Sequence, residues 1–132
     1  MKISSNKLKD IIDFAYQELE SLYEKDEIRS MIYSIIEHFT GYDLMKILTY
    51  KDELKVSESE LLKINFAIKD LKKEKPLQQI LGYCEFLDVR IEVNQHVLIP
   101  RVETEEIVQR VIKENKGRKN LKIADVCCGS GC

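Results

Sequence analysis

The spacing of apolar residues changes at Gly82, and this change limits the folds open to the chain. Before Gly82, apolar residues recur at steps of three and four, the period of a helix that buries one face. After Gly82, the segments Y-C-E-F-L-D-V and R-I-E-V follow a period of two and are rich in β-branched and aromatic residues. The sequence therefore predicts an all-α first part followed by two short strands, which we expect to form a hairpin.

Residues that favour helix starts and stops divide the first part into four helices and one very short one. The first is predicted from Asn6 to Tyr23 and the second from about Asp26, with a thin polar face that places it centrally. The expected starts are marked by Ser5, Asp43, the S-E-S-E capping box from Ser57 to Glu60, and Pro76, and the expected stops by Gly41, the lysines before Pro76, and Gly82. We expect Met31 and Met45 to lie in the core of this bundle.

A third part begins near residue 101. The segment V-E-T-E-E-I-V-Q-R-V-I-K-E-N has acidic residues at its start and one apolar face, which predicts a helix that ends before Gly117. The apolar stretch L-K-I-A-D-V then predicts a strand that leads into a glycine-rich turn. Helix, strand and turn in this order are typical of the opening of an α/β domain, and such a strand needs neighbours to cover its two faces.

The sequence thus predicts a helical bundle at 1–75, a joining segment with a short helix and a hairpin at 76–100, and the truncated start of an α/β domain at 101–132. The 132 residues carry a formal net charge of −2 with both signs interspersed, which disfavours nucleic-acid and membrane surfaces. Three of the four cysteines crowd the last six positions, where adjacent residues do not readily form a disulfide. We expect a monomeric cytoplasmic protein with reduced thiols.

The last eight residues, D-V-C-C-G-S-G-C, suggest a cofactor loop. An apolar strand that ends in an acid and then in G-S-G is a common cradle for nucleotide-type cofactors, because glycine lets the backbone approach the ligand closely. An ordinary strand-to-helix turn explains the same residues equally well. A metal site at the three thiols is disfavoured, since adjacent cysteines chelate poorly and the two histidines are predicted on a helix, His38, and in a loop, His96.

Three motifs together resemble one enzyme family. P-L-Q-Q-I-L-G-Y-C-E-F, V-N-Q-H-V-L-I-P-R-V-E-T-E and I-A-D-V-C-C-G-S-G-C resemble, in order and in spacing, the protein N5-glutamine methyltransferases of the HemK/PrmC type. The resemblance is dense from Pro76 to Cys132, and the upstream helices are similar to the N-terminal helical domain of that family. Family members typically have an aromatic residue, a proline and a glycine where this chain has Gln79, Val102 and Cys127.

The resemblance implies a Rossmann-like class I methyltransferase domain, S-adenosylmethionine as cofactor, and the glutamine of the G-G-Q loop of peptide chain release factors as methyl acceptor. By position, the cofactor loop would comprise Cys127, Cys128, Gly129, Ser130 and Gly131, with Asp125 ending the strand before it. Arg101 and Thr104 match a segment near the methionine end of the cofactor, although a helix-capping role explains them equally well. The catalytic N-P-P-Y motif of the family does not occur, so no residue here is assigned a catalytic role and we expect the 132-residue chain to be inactive.

Two alternatives stay open from the sequence. A related branch methylates a ribosomal protein, but Glu103, Thr104 and Glu105 match the release-factor branch. The chain could instead be a non-enzymatic helical binding module that keeps a vestige of the cofactor loop.

The role of the helical part within an enzyme also stays open. It would either dock the release factor or simply cover apolar surface of the remaining protein.

Overall fold

The computed structural model describes residues 5–129 and residue 131. These residues form two compact units that divide after Ile80. The first unit holds the predicted helical bundle, and the second holds the hairpin and the residues that follow it. Ser130 and Cys132, two residues of the predicted terminal turn, lie outside the described part of the chain.

The bundle described in the first unit is formed by four helices, with the bounds α1 Leu8–Leu19, α2 Lys25–Thr40, α3 Leu44–Tyr50 and α4 Glu58–Leu71. Helices α1, α2 and α4 pack against one another, and α3 packs against α2. The core is aliphatic; its fully buried large side chains are Leu8, Ile11, Leu19, Ile28, Ile32, Ile35, Ile36, Ile47, Ile64, Ile68 and Leu71. The predicted all-α first part is confirmed, with α2 at its centre.

Local cap chemistry sets three of the helix boundaries as predicted. The Asp43 carboxylate accepts a hydrogen bond of 2.7 Å from the Lys46 backbone N–H at the start of α3. At the start of α4, Ser57 and Glu60 form both hydrogen bonds of a capping box. Helix α2 ends at Gly41, whose φ of 71° lies in the left-handed region that glycine enters without steric cost.

The start and end of α1 differ from the prediction. The helix begins at Leu8, and Lys7 takes the N-cap position without a side-chain hydrogen bond. Ser5, the predicted cap, accepts a hydrogen bond from the Lys7 N–H before the helix starts. Lys7 instead forms an antiparallel bridge with Lys55, so a long-range contact fixes this boundary. The helix also stops at Leu19, four residues before the predicted end.

The ends of α1 and α4 are joined by polar contacts. The Tyr23 hydroxyl donates a hydrogen bond of 2.9 Å to the Leu71 carbonyl, and the Lys72 ammonium lies 2.7 Å from a Glu18 carboxylate oxygen. The hydrogen bond from Lys72 holds the pKa of Glu18 below its usual value. These contacts hold the residues that follow α1 against the end of α4.

A two-stranded antiparallel hairpin opens the second unit. Helix α5, Leu77–Leu81, precedes it, and its strands are β1, Tyr83–Phe86, and β2, Val89–Glu92, with Phe86 paired to Val89. The two-residue turn between them has positive φ at Leu87 and Asp88, 49° and 63°, which is the pattern of a type I′ turn. The predicted hairpin is confirmed, but Leu87 and Asp88, which were predicted within the first strand, form the turn, and Val89 begins the second strand.

Helix α6, Val102–Glu114, follows the hairpin as predicted and buries none of its residues. The predicted strand at Leu121–Val126 is wrong for this structure, since these residues have no regular secondary structure and are exposed. A strand needs a neighbour to satisfy its backbone, and among the described residues β1 and β2 pair only with each other. No helix in the described residues is long and apolar enough to cross a membrane.

Candidate functional site

Among its described residues, the glycine-rich turn after Val126 has three with left-handed backbone. Their φ values are 65° at Cys127, 59° at Gly129 and 79° at Gly131. The Gly131 N–H donates a hydrogen bond of 2.9 Å to the Cys128 carbonyl, which closes the turn. Glycine adopts this conformation freely, whereas a residue with a Cβ does so at a steric cost. Cys127 therefore occupies a position whose backbone conformation favours glycine, as the comparison with the family motif implied.

The two glycines leave room for a ligand. A Cβ built on Gly129 or on Gly131 would have no atom within 4 Å, so the space beside both backbones is open. A ligand could approach the peptide groups here more closely than beside any other residue type. The same holds for Gly41, Gly82 and Gly117, so the open space alone does not identify a cofactor loop, and that role stays a prediction.

The remaining predicted loop residues are placed only in part. Cys127, Cys128 and Gly129 are exposed, and so is Asp125, which precedes the turn. Ser130 was also predicted to bind the cofactor, but it lies outside the described residues. The assignment of these five loop residues to a cofactor site stays a prediction.

Arg101 and Thr104 lie at the start of α6. Arg101 is the N-cap residue, and its carbonyl accepts hydrogen bonds from the N–H groups of Thr104 and Glu105 at 3.0 and 3.3 Å. Neither the Arg101 nor the Thr104 side chain makes a hydrogen bond within the described residues. The structure therefore places both at a helix entrance, with their side chains exposed and available.

Val102 and Gln79, the two other departures from the family pattern, lie on helices. Val102 is the first residue of α6 and is 68% exposed, so the loss of a proline there removes no packing contact of consequence. Gln79 lies in α5, where its N–H donates to the Pro76 carbonyl. Pro76 was predicted to be the first residue of this helix, but α5 begins one residue later, at Leu77.

Apolar side chains are exposed on the helical unit. On α3 they are Leu44, Met45 and Leu48, and on α4 they are Leu62 and Phe66. The expectation for Met31 is confirmed, since it is 8% exposed, but that for Met45 is wrong, since it is 74% exposed. The helical period places Met45 on the opposite side of α3 from the buried Ile47, because neighbours two apart do not share a face.

A groove of about 590 Å³ lies between the hairpin and α6. Acidic and basic side chains line it together: Glu85, Asp88, Glu105, Lys113 and Lys116. This mixture of charges favours neither an anion nor a cation. The described residues of the glycine-rich turn do not line it, so the groove is separate from the predicted cofactor loop.

Sequence reasoning missed a contact on the outer face of the hairpin. The Arg90 guanidinium lies 3.6 Å from the centre of the Tyr83 ring, close enough for a cation–π interaction. The alternation of the two strands could have revealed it, because Tyr83 and Glu85 share one face and Arg90 pairs with Glu85. No group of three potential metal ligands occurs in the described part of the chain.

Comparison with known proteins connects the chain to one group of enzymes. It is 42% identical to the release factor glutamine methyltransferase of Flavobacterium psychrophilum over 120 residues, 88% of this chain. The corresponding proteins of Bacteroides thetaiotaomicron and Streptococcus pneumoniae are 34% and 31% identical over 92% and 95% of the chain. The sequence matches no protein-family model.

The chain spans 41–43% of the length of these three relatives, and the aligned residues cover both of its units. The similarity therefore extends through the helical unit, whose helices alone did not identify a family, as well as through the motifs after Pro76. Over this part of their length, the chain belongs to the family of the release factor glutamine methyltransferases.

Proposed function

We propose that this chain is the N-terminal part of an enzyme that methylates peptide chain release factors on the glutamine of their G-G-Q loop. The observation that carries the proposal is the 42% identity to a release factor glutamine methyltransferase over 88% of the chain. The names of the relatives support a release factor over a ribosomal protein as the substrate. Such an enzyme would work as a monomer in the cytoplasm, where translation terminates.

The cofactor proposed for this reaction is S-adenosylmethionine, held by Cys127, Cys128, Gly129, Ser130 and Gly131. Bound there, it would supply an electrophilic sulfonium methyl group. The G-S-G motif supports this role, because backbone N–H groups at Gly129 and Gly131 can approach a ligand without a Cβ in between. Arg101 and Thr104, exposed at the start of α6, are the further candidates for contacts with the cofactor.

The acceptor in this proposal is an amide nitrogen, whose lone pair is delocalised into the carbonyl group. Its methylation needs the lone pair to be aligned with the methyl group and water to be excluded, and the nitrogen gives up one proton as the new C–N bond forms. In this chain we assign no residue to that step, because the sequence contains no N-P-P-Y motif. The described residues would contribute by binding and orienting the cofactor and the release factor.

The proposed α/β domain would use the residues that this structure leaves exposed. Ile107 and Ile112 on α6 are 64% and 61% exposed, and Ile123 and Val126 before the turn are 80% and 83% exposed. Residues of this type cover one another when a helix packs on a parallel sheet. We propose that these exposed apolar side chains are covered by the remainder of the α/β domain in the complete enzyme.

The helical unit is proposed to dock the release factor. Leu44, Met45 and Leu48 on α3 give it exposed apolar side chains that its own core does not use. Exposed apolar side chains that lie together often mark a protein contact. The alternative, that this unit only covers apolar surface of the same enzyme, predicts that changes on α3 lower stability and leave the affinity for the release factor unchanged.

The first test is calorimetric titration of S-adenosylmethionine into the 132-residue chain and into the product of its complete gene. We expect heat of binding from the complete product. The same product should transfer a labelled methyl group to a release factor and not to a variant in which the G-G-Q glutamine is replaced by alanine.

Three results would contradict the proposal. They are the absence of cofactor binding by the complete product, methyl transfer to the alanine variant, and transfer to a ribosomal protein in preference to the release factor. Turnover of a release factor by the 132-residue chain alone would contradict the narrower expectation that this chain is inactive.

A further inference from the structure

The chain leaves α4 through a hydrogen-bonded turn. The Glu74 N–H donates a hydrogen bond of 2.8 Å to the Leu71 carbonyl, and the Lys75 N–H donates one of 3.2 Å to the Asp70 carbonyl. Together these two bonds make the pattern of a Schellman motif, in which a residue just past the helix takes left-handed backbone. Glu74 takes that position, with a φ of 58°. Pro76 follows and cannot continue a helix.

The left-handed backbone at Glu74 has an energetic cost. Glycine favours this position because it has no Cβ, whereas a residue with a side chain enters the left-handed region against steric repulsion. Such a residue keeps this conformation only where its surroundings hold it in place. The turn after α4 therefore depends on contacts that outweigh the repulsion.

Two side chains from α1 and the residues after it hold this turn. The Tyr23 hydroxyl donates a hydrogen bond of 2.9 Å to the Leu71 carbonyl, which also accepts the bond from the Glu74 N–H. The Lys72 ammonium lies 2.7 Å from a Glu18 carboxylate oxygen. Because only 17% of the Glu18 side chain is exposed, salt screens its charge less than that of a fully exposed carboxylate.

The other lysines of this turn stabilise it less. Lys73 and Lys75 both lie near the Asp70 carboxylate, with N–O distances of 3.7 and 3.2 Å, and their side chains are 76% and 42% exposed. Ion pairs at such exposure contribute little to stability. Tyr23 and Glu18 are therefore the side chains on which the closed turn depends.

We propose that residues 70–75 form a clasp at the joint between α4 and α5, which Tyr23 and Glu18 hold closed and which opens locally while the bundle stays folded. Opening relaxes the backbone of Glu74 and breaks the hydrogen bond from Tyr23. Since these two effects oppose each other, opening needs less free energy than unfolding of the bundle. The contacts of the clasp lie within the first unit, so its test does not require the proposed function to hold.

Hydrogen exchange measures the opening of the clasp. The Glu74 and Lys75 amides exchange when their bonds to α4 break, so their exchange rates follow the population of the open clasp. We expect Tyr23→Phe, which removes only a hydroxyl, to speed exchange at both amides on the order of fivefold. Mass spectrometry with residue resolution measures these rates in the complete gene product. Tyr50→Phe is the matched control, since Tyr50 is exposed and its hydroxyl makes no hydrogen bond within the part of the chain that the structure describes.

The ion pair has its own variant. Glu18→Gln should also speed exchange at the clasp, and added salt should reduce its difference from the unchanged protein, because salt screens the attraction between Glu18 and Lys72. Glu20→Gln is the control, since Glu20 forms no ion pair with any other described residue and should leave the rates unchanged. Equal effects of the two changes would contradict the role of Glu18.

Glu74→Gly tests the cost of the left-handed backbone. We expect it to slow exchange at Lys75 several-fold, because glycine enters this conformation freely, whereas Glu74→Ala keeps the Cβ and should not slow it. In the unchanged protein, both clasp amides should exchange faster than the amide of Ile35, a fully buried residue of α2. Exchange at the clasp as slow as at Ile35, or no effect of Tyr23→Phe, would overturn the proposal.

Discussion

Asn65 on α4 is the one buried polar residue in the described part of the core. Its side chain is 6% exposed, and its Oδ1 atom accepts no hydrogen bond. A buried acceptor without a partner has lost its hydrogen bonds to water and forms none within the protein, which lowers the free energy of unfolding. We therefore predict that Asn65→Leu, which has the same branching and no polar atoms, raises the free energy of unfolding by about 1 kcal/mol, measured by urea denaturation.

Asn65→Asp is the matched control for this prediction. It has the same shape but places a carboxyl group at the buried site, so it should lower the free energy of unfolding. If the leucine variant were less stable than the unchanged chain, Oδ1 would have a partner that stabilises the fold, and the explanation from desolvation would be wrong.

Single residues also show what the sequence can and cannot predict. Gly41 was predicted correctly because a helix stop depends on the conformation of one residue. Met45 was predicted incorrectly because its burial depends on which side of a seven-residue helix faces α2. Asn65 could not have been singled out, since an asparagine on a helix is ordinary until its neighbours are known.

At the scale of an element, the capping box of α4 links stability to pH. The Ser57 hydroxyl and the Ser57 N–H each donate a hydrogen bond of 2.7 Å to Glu60 Oε2, and they lower the pKa of Glu60 below its ordinary value of 4.5. A pKa that is lower in the folded state stabilises the fold fully above the unfolded-state pKa, and this stabilisation is lost as the pH falls through the folded-state pKa.

We therefore predict that the unchanged chain is more stable than Glu60→Gln at pH 7 and that this difference shrinks toward pH 3. Urea denaturation followed by circular dichroism at each pH measures it. Ser57→Ala, which removes the side-chain cap, should cost about 1 kcal/mol at pH 7. A difference between Glu60→Gln and the unchanged chain that does not vary with pH would contradict the explanation.

The turn of the hairpin gives a second prediction for an element. Asp88 has a φ of 63°, at a position of a type I′ turn where glycine is favoured. Asp88→Gly should raise the population of the hairpin, and Asp88→Ala should lower it, because alanine tolerates left-handed backbone less well than aspartate. Backbone NMR shifts of Glu85 and Arg90, which pair across the strands, measure that population. An Asp88→Ala variant with as large a hairpin population as Asp88→Gly would contradict this reason.

Elements were predictable to the extent that their determinants are local. The caps at Asp43 and Ser57 act within three residues, and both formed as predicted. The start of α1 depends on the bridge from Lys7 to Lys55, which no local pattern encodes. The stretch 121–126 has the composition of a strand, but no described strand pairs with it, and composition cannot supply a neighbour.

At the scale of the whole molecule, the buried apolar residues are distributed unevenly. Those described in the first unit lie between Leu8 and Leu71, whereas the second unit contributes Phe86 and Val93. Since burial of apolar area drives folding, the cooperative transition of the chain should belong to the helical unit. We predict that residues 1–80 alone unfold at the same urea concentration as the whole chain, within experimental error.

Circular dichroism at 222 nm measures both midpoints, and Ile35→Ala, a change at a fully buried position of α2, should lower them equally. A lower midpoint for residues 1–80 would mean that the second unit stabilises the first.

The candidate cofactor loop could be predicted at this scale only through family resemblance, because three positive φ values in a short turn do not by themselves specify a ligand.

The bridge between Lys7 and Lys55 has a consequence for hydrogen exchange. The first N–H groups of a helix have no partner within it and normally exchange with solvent without hindrance. Here the Leu8 N–H donates to the Leu54 carbonyl at 2.9 Å, and the Lys9 N–H donates to the Lys51 carbonyl at 3.1 Å. These amides exchange only when the connector between α3 and α4 moves away, so the beginning of α1 reports the opening of a segment more than forty positions along the chain.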